Sequence, residues 1–332
     1  PSEIMKITAE PITIAMQTAF RISRGSRTEC HVVRVYIEHD DKQAQGECTP
    51  YPRYGESSES VLAQIQQASS ALEAMFERGI TDPAELRDHL QSLLTGGAAR
   101  NAVDCALWEL EAKQHNQLFP NSLFELPTQI VTAMTVSIGT PEAMATQTRD
   151  YVANGAKLLK VKLDGEQVVE RVRAVREAAP DVQIVLDANE AWTGLNLEEL
   201  FNQLTEFDIA MIEQPLPQQQ DASLAHIEHP IPLCADESCH TTSQLSSLLG
   251  KYEMVNIKLD KTGGLTEALA LAEEAQKLGF TLMSGCMLGT SLAMRAALPI
   301  AVQSEIVDLD GPVLLGQDVS PALTYRDGMI IL

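Results

Sequence analysis

Several features that decide the class of many proteins are absent from this 332-residue sequence. It contains no run of eighteen apolar residues, so no membrane-spanning helix is predicted. Residues 1–6 lack a basic segment followed by an apolar one, so a secretory signal peptide is not expected. Basic residues are scarce, with 24 Lys and Arg against 46 Asp and Glu. The resulting net charge of −22 argues against nucleic acid or an anionic membrane as a partner.

The cysteine pattern excludes a further class of protein. No two of the six cysteines form a CxxC pair, and several lie in apolar stretches, as reduced core cysteines do. They are Cys30, Cys48, Cys105, Cys234, Cys239 and Cys286. The pattern favours a cytoplasmic protein over a disulfide-stabilised scaffold. The composition, 45% hydrophobic and 21% charged, is ordinary for globular domains with a substantial core.

The first third of the chain has the pattern of an α+β unit, with strands first and helices after them. Alternating or β-branched stretches predict antiparallel strands at 4–15 and 30–38. Helical patterns follow at 58–78, 83–94 and 98–116. Residues 20–27 are basic and contain a glycine, and a solvated hairpin loop is one explanation of this pattern. Residues 46–57 are rich in proline, glycine and aromatic residues, which is typical of a structured loop.

From about residue 130, apolar runs alternate with helical patterns. The eight runs lie at 133–137, 158–162, 183–187, 209–213, 232–236, 254–258, 280–284 and 304–308. Repeated strand–helix units of this kind predict an α/β protein with a (β/α)8 barrel. An open doubly wound sheet is the alternative, although the first βα turn lacks the GxGxxG of a dinucleotide site. The predicted units are residues 1–125, a barrel at 126–311, and a C-terminal segment, 312–332, that returns to the first unit.

Charged residues follow almost every one of these apolar runs. In a barrel, catalytic groups lie at the carboxyl ends of the strands. The charged residues at these ends are Lys160, Lys162, Asp187, Glu213, Asp236, Lys258, Asp308 and Asp310. One acid after a strand is commonly a helix N-cap, but that explanation is weaker for three acids at successive strand ends.

Asp187, Glu213 and Asp236 are predicted to converge at the mouth of the barrel. Three convergent carboxylates repel one another unless a cation holds them. Hard oxygen ligands with open positions suit Mg²⁺, and no histidine or cysteine cluster in the sequence offers a zinc site. The sequence therefore predicts a magnesium site.

Two lysine-bearing strand ends flank these acids. In Lys160-Val161-Lys162 both lysines face the same side of a strand, although a sheet edge with solvated lysines has the same pattern. Lys258 would face them across a closed barrel. This arrangement fits removal of a proton next to a carboxylate, with the metal stabilising the enediolate. Bases on opposite faces would invert the carbon, and the charge of Lys160 is expected to keep Lys162 ready as a base.

These motifs resemble those of the enolase superfamily, in the subgroup of the muconate-lactonising enzymes, over essentially the whole chain. They are Lys-x-Lys at 160–162, Asp-x-Asn at 187–189, Glu-Gln-Pro at 213–215, Asp-Glu-Ser at 236–238 and Lys-x-Asp at 258–260. The resemblance implies a modified TIM barrel with an N-terminal α+β capping domain that the C-terminal segment completes.

The resemblance also implies roles for the charged residues. One Mg²⁺ per subunit would be bound by Asp187, Glu213 and Asp236. Lys162 and Lys258 would be the acid/base pair, and Lys160 would contact the substrate carboxylate.

Within the subgroup, Asp308-Leu309-Asp310 resembles the segment with which dipeptide epimerases bind the ammonium group of the first residue. The two acids alternate along the chain, so both can face the mouth. A simple Asp-Gly-Pro turn at 310–312 is the alternative. Lactonising and succinylbenzoate-forming relatives have no substrate ammonium to bind, and the resemblance is closest to L-Ala-D/L-Glu epimerases.

In those epimerases a cap-loop arginine meets the side-chain carboxylate of the second residue. Arg27 is the first candidate here, Arg24 is the second, and Arg53 could contribute. The other predicted substrate contacts are Thr135, Cys286 and Met287. The small and apolar residues after the seventh run favour alanine as the first residue of the substrate.

The implied function is that of a Mg²⁺-dependent dipeptide epimerase, which inverts the α-carbon of the C-terminal residue of L-Ala-D/L-Glu in murein peptide metabolism. The implied partner is a small dipeptide, and a homo-oligomer is an open alternative to a monomer. Three other functions stay open: a lyase or cycloisomerase such as o-succinylbenzoate synthase, an epimerase of other dipeptides, and a non-catalytic acid-binding protein.

Overall fold

The computed structural model describes residues 4–22, 25–121 and 123–332, and only the backbone of residues 18–22, 25 and 26. Arg24, the second candidate for the cap-loop arginine, lies outside the described residues. No helix in the described ranges is long and apolar enough to cross a membrane. All six cysteines are free thiols, and all but Cys286 are buried.

The N-terminal cap begins with a three-stranded antiparallel sheet of β1 (Lys6–Ile22), β2 (Gly25–His39) and β3 (Lys42–Cys48). Val33, Val35 and Ile37 on β2 are buried and alternate with more exposed residues, so one face of the sheet is available for packing. Both long strands extend beyond their predicted limits, because Phe20 and Arg27 still pair across the hairpin. The alternative explanation of residues 20–27 as a solvated hairpin loop therefore does not hold for the paired part.

Three helices pack on the apolar face of this sheet, and their limits lie within two residues of the predicted ones. They are α1 (Ser58–Glu77), α2 (Pro83–Leu93) and α3 (Ala98–Gln114). α1 begins with a capping box in which Ser57 and Ser60 exchange hydrogen bonds. α3 approaches β3 closely, since a Cβ at Gly46 would lie 2.0 Å from the carbonyl oxygen of Ala102. Only glycine leaves room for this contact.

Eight parallel strands follow β4 (Gln129–Val131), and each pairs with the next along the chain. They are β5 (Met134–Val136), β6 (Leu158–Lys162), β7 (Gln183–Asp187), β8 (Ile209–Glu213), β9 (Leu233–Ala235), β10 (Met254–Ile257), β11 (Thr281–Gly285) and β12 (Ile306–Asp308). The ring closes where the backbone N–H of Ala133 donates to the carbonyl of Val307 at 2.8 Å. All eight predicted runs are strands, and the predicted barrel, rather than an open sheet, is confirmed.

Helices cover the outside of the ring. They are α4 (Pro141–Ala153), α5 (Val168–Ala178), α6 (Leu197–Leu204), α8 (Leu265–Lys277) and α9 (Ser291–Ala301). Two one-turn helices, α7 (Leu259–Thr262) and α10 (Gly311–Leu314), follow β10 and β12 on the side of the barrel that faces the cap. After β8 and β9 the covering segments are 3-10 helices, Gln218–His226 and Thr242–Leu248, so the barrel is a modified one.

The interior of the barrel is layered. Eight buried residues, one from each strand or directly before it, form an apolar cluster that we call the floor. They are Ala133, Leu158, Val185, Met211, Cys234, Met254, Met283 and Ile306. Because side chains on a strand repeat every two residues, the residue two places further on faces the same interior, nearer the mouth. The floor therefore fixes which side chains line the mouth.

The C-terminal segment contacts both the cap and the barrel. Leu315 bridges to Met16, and the N–H of Gly316 donates to the carbonyl of Ala15 on β1 at 2.8 Å. The terminal strands β13 (Thr324–Arg326) and β14 (Met329–Ile331) instead form a small sheet with β4. Ile330 is fully buried in the barrel core. Only the start of this segment thus lies on the cap, because the apolar terminal strands cover the base of the barrel.

Candidate active site

Two rings of mostly polar side chains lie above the floor. The lower ring, two residues beyond the floor, is Thr135, Lys160, Asp187, Glu213, Asp236, Asn256, Gly285 and Asp308. The upper ring, two residues further, includes Lys162, Asn189, Lys258, Met287 and Asp310. Members of both rings line one cavity of about 710 Å³ at the mouth, and the cap residues Arg27, Tyr51 and Tyr54 cover it.

Each predicted catalytic lysine is paired with a carboxylate. Lys162 Nζ donates to Asp187 Oδ2 at 2.6 Å and to Asn189 Oδ1 at 3.0 Å. Lys258 Nζ donates to Asp236 Oδ2 at 2.9 Å. The strands that carry the two lysines, β6 and β10, are four places apart in a ring of eight. The two ammonium groups therefore enter the mouth from opposite sides.

Lys160 has a different partner. Its ammonium group donates to Asp308 Oδ2 across the closure of the barrel, and it lies 3.8 Å from Asp187 Oδ2. Burial alone would lower the pKa of Lys160, but Asp308, Glu213 and Asp187 outweigh burial and raise it above its usual range. Lys160 is therefore a fixed positive charge beside Lys162.

The pKa of Lys258 is also raised above its ordinary value. Burial would lower it, as expected for a buried catalytic lysine, but Asp236 and Glu213 have the larger effect. In turn, Lys258 and Lys261 hold the pKa of Asp236 well below its usual range despite burial. In this arrangement Lys258 carries a proton.

The three acids predicted to bind metal lie on adjacent strands, and Asp187 pairs directly with Glu213 in the register of β7 and β8. Glu213 Oε2 accepts from Asn256 Nδ2 at 3.0 Å, whereas the buried Glu213 Oε1 has no hydrogen-bond partner. No set of three acidic, histidine or cysteine side chains in the described ranges is arranged to hold a metal. Lysine ammonium groups contact Asp187 and Asp236 in this structure. The oxygen donors and the unpartnered Oε1 fit a hard cation in chemistry.

Sequence reasoning missed two residues that hold these acids. Lys261 is fully buried, and its Nζ donates to both the Oδ1 and the carbonyl oxygen of Asp236, at 2.8 Å each. Asn256 donates a hydrogen bond to Glu213. Because it lies two residues before Lys258, the alternation of side chains along a strand predicts that it faces the barrel interior. Lys261 gave no such signal, because a lysine in a short helix resembles a surface residue.

The two acids after β12 form the other side of the site. Asp310 Oδ2 accepts from the backbone N–H of Thr135 at 3.0 Å and from its hydroxyl at 2.7 Å. Burial and the neighbouring Asp308 raise the pKa of Asp310 to about 7. The buried Asp308 Oδ1 has no hydrogen-bond partner. Asp310 does not cap α10 with its own side chain, which argues against a turn as the only role of this segment.

The predicted arginines separate into two groups. The Arg27 guanidinium lies 5.5 Å from the centroid of the Tyr51 ring and lines the cavity. Arg53 does not line it; both of its donating nitrogens bind Glu190, at 3.1 and 3.0 Å. This bidentate pair ties the cap to the loop after β7, and a contribution of Arg53 to substrate binding stays a prediction.

The remaining predicted contacts lie on the same cavity. Cys286 and Met287 line the cavity beside Leu288 and Leu314. The carbonyl of Leu288 accepts from the hydroxyl of Thr49 at 2.7 Å, so the cap holds this loop. These four residues give this part of the lining a largely apolar character.

Comparison with known proteins places this geometry in a wider context. Residues 5–123 match the mandelate racemase/muconate lactonizing enzyme N-terminal domain, and residues 143–332 match the enolase C-terminal domain-like family. The chain is 52% identical over 318 residues to an L-Ala-D/L-Glu epimerase of Escherichia coli K12, with 96% of each covered. It is 45% identical over 293 residues to an N-acetyl-D-glutamate racemase of Pseudoalteromonas, covering 87% of this chain and 90% of the relative.

A solved structure agrees with this fold throughout. It is an enolase family member from Agrobacterium tumefaciens with homology to dipeptide epimerases, determined with bound sodium and L-Ala-L-Glu. The TM-score is 0.91 at 45% identity, with 98% of this chain and 97% of that chain covered.

The raised pKa of Asp310 predicts a pH-dependent stability. An Asp carboxyl in an unfolded chain ionises near pH 4, whereas Asp310 in the folded chain ionises near pH 7. The folded state thus binds the extra proton, and stability falls as the pH rises through this window. The Asp310→Asn variant should therefore become more stable, relative to the unsubstituted chain, as the pH increases from 5 to 8. We expect the difference between their free energies of unfolding, measured by thermal unfolding, to change by about 2–3 kcal/mol over this range.

Asp318→Asn is the matched control for this measurement. The exposed Asp318 accepts the same kinds of donor, the N–H and hydroxyl of Ser291, at 2.8 and 2.5 Å. Its substitution should give the same stability difference at both pH values. A pH-independent difference for Asp310→Asn would show that Asp310 is not a buried acid with a raised pKa.

Proposed function

Because the chain belongs to the mandelate racemase/muconate lactonizing enzyme family within the enolase superfamily, and is an isomerase as its relatives are, we propose a specific reaction for it. The reaction is epimerisation of L-Ala-D/L-Glu at the α-carbon of its second residue. One observation carries the proposal. Lys162 and Lys258 enter the same mouth from opposite sides, each above a carboxylate of the lower ring.

In this reaction the two lysines act on opposite faces of the α-carbon. One neutral lysine removes the α-proton, and the other, protonated, returns a proton to the other face. Lys258 holds its proton through Asp236, so it is ready to donate in one direction of the reaction. The fixed charge of Lys160 lies beside Lys162 and would stabilise the negative charge that develops on the substrate carboxylate.

Asp187, Glu213 and Asp236 would hold one Mg²⁺ per subunit. When bound, Mg²⁺ would withdraw electron density from the substrate carboxylate and so make the neighbouring α-proton more acidic. The unpartnered Glu213 Oε1 supports this assignment. Lys162 and Lys258, which bind Asp187 and Asp236 in this structure, would then be available to contact the substrate.

The two ends of the mouth fit the two ends of the dipeptide. Asp308 and Asp310 would bind the ammonium group of the alanine, and Thr135 orients Asp310. Arg27 would pair with the side-chain carboxylate of the glutamate. The apolar lining at Cys286 and Met287 would contact the methyl group of the alanine.

Racemisation of an N-acylated glutamate is a second candidate function. It is favoured by the Lys160–Asp308 pair, which already neutralises one of the two acids that would bind an ammonium group. A substrate without that ammonium group would leave Asp310 to be neutralised by a proton, as its raised pKa allows. The 45% identical racemase supports keeping this candidate.

The setting of the activity follows from the same proposal. Dipeptides of alanine and glutamate are pieces of murein peptide, so we infer a role in murein peptide metabolism. The six free thiols fit a reducing compartment such as the cytoplasm. Whether the chain forms a homo-oligomer stays a prediction.

The reaction is tested by hydrogen exchange. In D₂O with Mg²⁺, we expect the α-hydrogen of glutamate in both L-Ala-L-Glu and L-Ala-D-Glu to be replaced by deuterium, as measured by proton NMR. Lys162→Ala and Lys258→Ala should each abolish epimerisation, and each should retain exchange of one epimer only. N-acetyl-glutamate serves as the competing substrate. Exchange of N-acetyl-glutamate and of neither dipeptide would replace the first candidate with the second.

The arginine assignment gives a second prediction. Arg27→Met should weaken the use of L-Ala-L-Glu, raising KM by about 10-fold or more, because a charge-assisted contact contributes about 1.5–3 kcal/mol. The same change should have little effect on L-Ala-L-Met, whose side chain carries no charge. Arg53→Met is the matched control, since Arg53 binds Glu190 rather than lining the cavity. Equal losses with the two dipeptides would contradict the assignment.

A further inference from the structure

The short helix α7 directly follows the proposed catalytic Lys258. The carbonyl of Lys258 accepts from the backbone N–H of Lys261 at 3.0 Å and of Thr262 at 3.1 Å, so Lys258 begins the turn. The position of the lysine side chain therefore depends on where this turn lies. The Lys-x-Asp motif adds a second charged residue to the turn, Asp260, to which the proposed reaction assigns no role.

Asp260 points away from the mouth and into the interface between barrel and cap. Its Oδ1 accepts from Asn101 Nδ2 at 2.8 Å, and its carboxylate accepts from the backbone N–H of Thr49 at 3.2 and 3.3 Å. Asn101 belongs to α3 and Thr49 follows β3, so both donors belong to the cap. One carboxylate therefore joins two separate cap segments to the turn that begins at Lys258.

The carboxylate of Asp260 is an expensive group to bury. It is 8% exposed, and among the ion pairs of the described residues none involves it. Burial raises its pKa to about 8 although the hydrogen bonds from Asn101 and Thr49 favour the ionised form, and nearby Glu56 and Glu47 add to the rise. Burying such a side chain lowers the stability of the fold. Its contacts are therefore expected to serve a purpose other than stability.

The turn is also held from the barrel side. Lys261 Nζ donates to the carbonyl of Asn256 at 2.7 Å and to Asp236 at 2.8 Å. Within one helical turn, Lys258 thus reaches the mouth, Lys261 reaches the barrel and Asp260 reaches the cap. The bond from the N–H of Thr49 to Asp260 connects this turn to the loop that carries the mouth-lining residues Tyr51 and Tyr54. Arg100 of α3 holds the end of the turn by donating to the carbonyls of Thr262 and Gly263, at 2.7 and 3.0 Å.

We propose that Asp260 is a positioning residue for Lys258: by accepting from Thr49 and Asn101 of the cap, it fixes the turn that aims the Lys258 ammonium at one face of the substrate. The inference rests on the proposed two-lysine reaction. Lys162 lies on β6, across the barrel, and its hydrogen bonds go to Asp187 and Asn189 rather than to this turn. Loss of the Asp260 contacts should therefore impair the chemistry on one face of the α-carbon and spare the other.

The two epimers of the substrate separate these effects. Each epimer presents its α-hydrogen to a different lysine. The epimer that still exchanges in Lys162→Ala is the one served by Lys258, and the epimer that still exchanges in Lys258→Ala is the one served by Lys162. In Asp260→Asn, an amide nitrogen replaces one of the two carboxylate oxygens, so one hydrogen-bond acceptor is lost while the side chain keeps its size. We expect deuterium exchange of the epimer served by Lys258 to fall about 10-fold or more relative to exchange of the other epimer, because small displacements of a reacting group are costly.

Asp104→Asn is the matched control at the same interface. Asp104 is a fully buried carboxylate on α3 that accepts from the N–H of Thr266 at 3.0 Å and its hydroxyl at 2.7 Å, away from Lys258. Its substitution should lower exchange of both epimers by the same factor. A general loss of cap docking would give the same symmetrical result for Asp260→Asn.

Asn101→Ala tests the contact from the cap side and keeps the inference testable if Asp260→Asn does not fold. It should produce the same bias against the Lys258 epimer, with folding checked by circular dichroism. An equal fall, or no fall, for the two epimers in these variants would overturn the inference and leave the proposed function intact. If the unsubstituted chain exchanged neither epimer, the proposed function would be wrong and this inference would fall with it.

Discussion

The two-residue period of eight parallel strands, set above one apolar floor, is the constraint on which the site depends. Once the floor residues are buried, the residues two places further along each strand must share the same interior. Asp187, Glu213 and Asp236 come from consecutive strands, so three carboxylates are placed side by side away from water. Buried like charges of this kind require cations close by. The rest of the site follows from that requirement.

Lysines supply these cations in the structure. Lys162 and Lys258 neutralise the outer two acids, and Lys261 adds a second positive charge to Asp236. Glu213, between them, keeps one oxygen without a partner. The same lysines are the groups proposed to move protons, so charge balance and chemistry use one set of side chains. A divalent cation at the acids would release the lysines toward the substrate.

The cap completes the site by contacts that reach the barrel loops. Arg53 binds Glu190 after β7, Thr49 binds the carbonyl of Leu288 after β11, and Asp260 joins the cap to the turn after β10. Cap residues therefore define the mouth from above while the floor defines it from below. This dependence explains why cap residues far from Lys258 in sequence are expected to alter one half of the reaction.

Much of the fold was predictable because the barrel strands are largely apolar runs, and most of them end in a charged residue or are followed directly by one. The ring members Lys160, Asp187 and Glu213 could be found from this pattern alone. Lys261 could not, because its burial depends on a turn that tertiary contacts shape. The pairing of Arg53 with Glu190 was equally hidden, since the two residues are 137 positions apart and belong to different units. The pairing of the terminal strands with β4 was hidden in the same way, because it joins segments that are far apart in the sequence.

The binding of Mg²⁺ to the lower ring tests the central claim most directly. Increasing Mg²⁺ should raise the thermal unfolding midpoint of the unsubstituted chain. A ligand at 100 times its Kd adds about 2.7 kcal/mol to the free energy of unfolding. Glu47→Gln, which alters a buried glutamate of the cap, should respond in the same way. Glu213→Gln should show little or no rise. A rise in Glu213→Gln equal to that of the unsubstituted chain, or no rise in the unsubstituted chain, would contradict the account.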